Sequence, residues 1–197
     1  MDANIRVLER AAQADDLEAR AALLAARARA GRLDPDRLRL AAWLGDDAAR
    51  LALGDGAPEP PRRRTKRDPW TRELAGWGHE ALVRAGLVVT ADELRHWRRH
   101  HRDDPVVPGI VAAVEAWTRE PSAEAVQRVA AELEREAPRP RDDRASRALA
   151  RVARLASIVL AAEVAVALPH ALHTLGESPP TPVRAAIREV LVPWALA

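Results

Sequence analysis

Apolar residues along this chain recur at intervals of three and four, as in Ile5, Leu8, Ala12 and again in Leu17, Ala21, Leu24, Ala28. That spacing places them on one face of a helix. Sustained alternation of β-branched and aromatic residues with polar ones, the mark of a half-buried strand, is missing. The pattern predicts an all-α protein. Breakers divide it into helices over 3–13, 16–30, 35–44, 46–53, 70–86, 91–102, 106–118, 122–136, 142–168 and 181–192.

Start signals support several of these boundaries. Asp34 is placed to cap a helix whose first position is Pro35, and Ser122 with Glu124 and Thr181 with Pro182 mark two later starts. Thr90, Asp92 and Glu93 read as another start, which divides 70–86 from 91–102. Gly31, Gly45 and Gly54 fall where the first helices should end. The longest segment, 142–168, carries Ala148, Val152, Leu155, Val159, Ala162 and Val166 as one stripe. It is expected to be a central helix, ended or kinked at Pro169.

The stretch "GDGAPEPPRRRTKRDPW" at 54–70 is too rich in Gly and Pro for a helix. It separates an N-terminal helical-hairpin unit over 1–54, through a Pro/Arg-rich linker over 55–69, from a C-terminal helical bundle over 70–197. Within the first unit "ADDLEARAAL" (14–23) is echoed by "GDDAARLAL" (45–53), which suggests stacked, repeat-like hairpins.

Composition narrows the function classes. Thirty-one cations face 29 carboxylates, so a chain rich in arginine carries a formal net charge of only +2. Lys66 is the sole lysine, a bias that reads as the codon usage of a GC-rich, bacterial genome. The absence of cysteine excludes disulfides, thiolate metal sites and cysteine nucleophiles. The nine glycines form neither GxGxxG nor GxxxxGK[ST], and no serine sits on a strand-to-helix elbow.

"MDANIRVLERAAQADD" has no basic stretch leading into an apolar one, so no signal peptide is read and a cytoplasmic location is expected. The most apolar window, 155–168, contains Glu163 and falls short of the ~20 residues that span a bilayer. It reads as a buried helix.

Two basic stretches carry the candidate chemistry: "RRRTKR" at 62–67, with Arg62, Arg63, Arg64, Lys66 and Arg67, and "RHWRRHHR" at 95–102, with Arg95, Arg98, Arg99, His100 and His101. Each can neutralise several phosphates, and Trp97 within the second can stack on a base. The run of glutamates at 115, 120, 124, 132, 134 and 136 opposes a duplex. The second stretch equally suits a helix end, where cations meet the negative end of the dipole, with Leu94 and Trp97 facing inward.

His96 and His100 stand four apart, as metal ligands on a helix do, but no glutamate lies between them and arginines flank them. Another pair, His170 and His173, completes a four-histidine site only if the two segments meet. Asp103-Asp104 and Asp142-Asp143 read as caps. Among the six tryptophans, Trp43, Trp77 and Trp117 sit on apolar stripes and are expected in cores, while Trp70 and Trp194 are either clasps or exposed binding anchors.

The order of features in "RELAGWGHEALVRAG" (72–86) and "LRHWRRHHRDDPVVPGIVAAVEAW" (94–117) resembles the all-helical immunity-protein family of polymorphic toxin systems. Trp77, Asp104-Pro105 and Glu115-Ala116-Trp117 stand at the places of that family's aromatic-alanine helix start, DP-type turn and helix-closing "EAAEAW". The resemblance spans about 70–175 and thins in the Ala-rich helices, and "RPRDDR" is more charged than the family pattern. It implies binding of a protein partner rather than catalysis.

The resulting expectation is a non-enzymatic protein-binding module without cofactor or bound metal, immunity- or antitoxin-like, whose partner is acidic where it touches Arg95, Arg98, Arg99, His100, His101, Arg62, Arg63 and Arg64. The alternative is a nucleic-acid-associated protein using both basic stretches, and a weaker one is a metal site at His96 and His100.

Overall fold

A computed structural model describes residues 16–61, 69–101, 103–135 and 143–197, together with Glu9 and Ala12. It contains ten α-helices and no strand among the described residues. In chain order these are α1 (Leu17–Arg29), α2 (Pro35–Trp43), α3 (Asp47–Leu53), α4 (Trp70–Ala75), α5 (His79–His100), α6 (Val106–Arg119), α7 (Ala123–Glu134), α8 (Asp143–Leu160), α9 (Val164–Leu175) and α10 (Thr181–Leu196). The helix expected over 3–13 lies outside the described residues except for Glu9 and Ala12. No helix among the described residues is long and apolar enough to cross a membrane.

The chain divides into two compact units, one comprising Met1–Arg64 and Arg188–Ala197, the other Thr65–Ile187. The C-terminal bundle expected over 70–197 is therefore shortened. Its last ten positions join the N-terminal helices because Arg188 donates to the Gly45 carbonyl at 2.5 Å and the Arg37 guanidinium lies 4.6 Å over the Trp194 ring.

In the first unit α3 packs against both α1 and α2. The glycines end the helices as expected. Gly31 (φ 68°) and Gly45 (φ 88°) take the left-handed conformation, and the next residue's N–H returns to the helix, Arg32 to Arg27 at 2.9 Å and Asp46 to Ala41 at 3.0 Å. Asp46 then caps α3 by accepting from Ala49 N, just as Asp16 caps α1 by accepting from Glu18 N and Ala19 N. The sequence echo falls into register from these two caps rather than from the aspartate doublets. Ala19 matches Ala49, Arg20 matches Arg50, Ala22 matches Ala52 and Leu23 matches Leu53.

The second unit is organised around α8, which packs against α5, α6, α7 and α9. Ala148, Val152, Leu155 and Val159 of the expected stripe are all buried, joined by Ala156 and Ile158. The stripe ends there. Ala162 is exposed and Val166 is 56% exposed, because the chain breaks at 161–163 and α9 presents Ala167, Ala171 and Leu175 inward instead. At 100° per residue Ala167 would stand roughly 80° from Val159 on one continuous helix, so the break brings a second apolar face into phase with the core.

Pro169 lies inside α9 rather than ending a helix. The carbonyl that it deprives of a partner belongs to Ala165, an exposed residue.

The expected division of 70–86 from 91–102 is also corrected. The break comes earlier, at 76–78, and α5 runs unbroken for 22 residues. Thr90 is 1% exposed in its middle and spends its hydroxyl on the Gly86 and Leu87 carbonyls, both at 3.1 Å. Gly86 serves packing here, since a Cβ added to it would lie 2.7 Å from Leu155 Cδ1. With Glu93 of α5 paired to Arg151 of α8, these contacts fix the two helices as antiparallel neighbours.

Candidate functional site

The antiparallel pairing brings the C-terminal turns of α5 beside the first turn of α8. There Asp92, Arg95, His96, Arg99, His100 and Arg144 line a hollow of about 400 Å³. Five of the six come from one face of α5, at three and four spacing, opposite the face that buries Leu94 and Trp97. The helix is amphipathic in charge as well as hydropathy.

Asp92 accepts from Arg95 Nη1 at 2.6 Å, an exposed pair one turn apart. The imidazoles of His96 and His100 lie side by side, with centroids 4.5 Å apart and planes tilted by 37°. Arg99 and Arg144 are exposed, and neither makes an ion pair or hydrogen bond with another side chain among the described residues. Three guanidiniums against one carboxylate give the hollow an excess of two positive charges before the imidazoles are counted.

Of the residues expected to bind a partner, the structure gathers Arg95, Arg99 and His100 and adds His96. It does not gather His101 or Arg98 there. His101 caps α5 and stacks on Trp97, ring centroids 4.5 Å apart and 27° between planes, while exposed Arg98 is not among the lining residues. Arg62, Arg63, Arg64, Lys66 and Arg67 lie outside the described residues.

Trp97 is 1% exposed, with its Nε1 donating to the Asp104 carbonyl at 3.4 Å, so it offers no face to a base as the nucleic-acid reading required. It matches instead the inward face expected for that helix. Asp104 acts as a cap, accepting from Val106 N at 3.0 Å at the start of α6. Trp70 is buried in the second unit, and Trp77 is half-buried rather than a full core anchor.

Two residues of the hollow escaped the sequence. Asp92 read as a helix-start signal, although its place in the series 92, 95, 96, 99, 100 puts it on the arginine face. Arg144 carries no local signal, since its position depends on the register of α8 against α5. Among the described residues, no group of three or more His, Cys, Asp or Glu side chains could hold a metal ion. His170 and His173 are on α9 and do not line the hollow, and His173 Nδ1 lies 2.8 Å from its own helix's Pro169 carbonyl.

The arrangement can hold an anion. Guanidiniums from two helices supply forked donors, and the exposed His100 imidazole adds a ring N–H group. Comparison with protein-family models, curated proteins and solved structures returns no match to this chain.

Proposed function

We propose that this chain is a non-enzymatic binding module that holds a partner protein by an acidic element seated between the end of α5 and the start of α8. The observation that carries this reading is the convergence of Arg95, Arg99 and Arg144 with His96 and His100 on one hollow. Such a focused positive field steers an acidic partner and fixes its orientation, and the fork of arginine suits carboxylate and phosphate alike. None of the described lining residues is a serine, threonine or cysteine, so the hollow offers no hydroxyl or thiol nucleophile. The resemblance of about 70–175 to immunity proteins supports the same role, masking a partner by surface complementarity.

The test is co-expression with the product of the neighbouring gene, followed by co-purification. Wild-type protein should retain a partner that Arg99→Glu/Arg144→Glu loses, while duplex DNA at physiological salt fails to compete. Retention by the double variant, or displacement by DNA, overturns the reading.

A further inference from the structure

Taking the groove of the preceding section as the contact site, we propose that the group it seats is a phosphoryl dianion: a phosphate monoester or the terminal group of a diphosphate. The charge count favours it. Asp92 already engages Arg95 at 2.6 Å, which leaves the guanidiniums of Arg99 and Arg144 to a ligand. A carboxylate brings one charge and two oxygens, whereas a phosphate monoester brings roughly 1.5 to 2 negative charges and three strong acceptor oxygens. Two guanidiniums from separate helices can therefore engage different oxygens of one phosphoryl group, and the exposed His100 imidazole, 4.5 Å from that of His96, can donate to the third.

Arg144 follows Asp143 in the first turn of α8, so it brings a guanidinium to the hollow from a second helix.

The dianion has two possible sources, a free phosphorylated small molecule or a phosphorylated side chain on the partner. The experiment follows the His96 and His100 imidazole resonances of the full chain at constant ionic strength. The additions are inorganic phosphate, pyrophosphate, a phosphoserine peptide, its glutamate-substituted twin, and acetate. Phosphoryl ligands should give saturable shifts, with affinity at least about tenfold above the glutamate peptide and acetate.

Arg99→Gln and Arg144→Gln should each weaken phosphate binding about fivefold or more, and Arg98→Gln should leave it unchanged. Circular dichroism and thermal midpoints check that all three variants are folded. Tighter binding of the phosphopeptide than of pyrophosphate assigns the source to a partner protein; the reverse order assigns it to a free molecule. Either order supports the shared chemistry. Equal affinity for the glutamate and phosphoserine peptides overturns the phosphoryl assignment and leaves the acidic-partner reading standing. No saturable shift with any phosphoryl ligand also overturns it, and partner retention by Arg99→Glu/Arg144→Glu then decides the broader reading separately.

Discussion

The two halves of α5 lie against the same neighbour in the same antiparallel register, yet one forms a closed seam and the other an open groove. At Gly86 there is no side chain, and Leu155 of α8 fills the space. Ala81, Leu82, Val83 and Ala85 nearby are fully buried. Two turns onward Glu93 meets Arg151, and beyond that point arginines and histidines face Arg144 across a hollow. Helix geometry does not separate the halves; side-chain volume and charge do. Small apolar residues let the helices close, while long cations repel and remain hydrated.

Substitutions along this helix should test that contrast. Trp97→Ala has the largest expected effect, a loss of about 3–5 kcal/mol in urea unfolding, because the inward edge of the open half is still core. A loss below 1 kcal/mol would mean that the C-terminal half of α5 is not anchored. Glu93→Ala should cost about 1.5 kcal/mol by removing the charged hydrogen bond that joins the halves to α8, and Arg151→Ala should show non-additivity with it in a double-mutant cycle.

Gly86→Ala sets two terms against each other. Helix propensity favours alanine by about 1 kcal/mol, while crowding of Leu155 costs about 2 kcal/mol, for a net loss of about 1 kcal/mol. In a Leu155→Ala background the crowding is gone, and the same change should become stabilising. Smallest of all, Arg99→Gln and Arg144→Gln should each shift stability by less than about 0.5 kcal/mol, since both are exposed and lack side-chain partners among the described residues. A larger destabilisation at Arg144 would make it a fold residue rather than a binding one.

The elements bounded by strong local chemistry were legible. Asp34 with Pro35, Ser122, and Gly31 with Gly45 act where their side-chain oxygens and left-handed backbone require. What misled were residues whose local preference lost to packing. Thr90, Asp92 and Glu93 form a plausible helix start, but burial of Thr90 and lateral pairing of both carboxylates hold the helix through them. The division between α8 and α9 has no breaker in "LAAEV"; only the phase shift from Val159 to Ala167 records it.

The site was half legible for a similar reason. The face of α5 follows from spacing alone, whereas Arg144 needs the tertiary register set by Gly86 and Glu93.

The shared caps of the first unit carry a further consequence. Arg20, four positions after its capping aspartate, reaches Asp46, the cap of the next copy, at 3.8 Å. Arg50 holds the same place in its own copy, and its guanidinium donates at 3.3 Å to the Pro58 carbonyl. A single rule thus links each copy to whatever follows, and the glycine- and proline-rich segment ends the series by presenting a bare carbonyl where another copy would present an aspartate. A new aspartate-capped copy spliced in after Leu53 would inherit a waiting arginine, so this short array is terminated by its neighbour rather than by its own grammar.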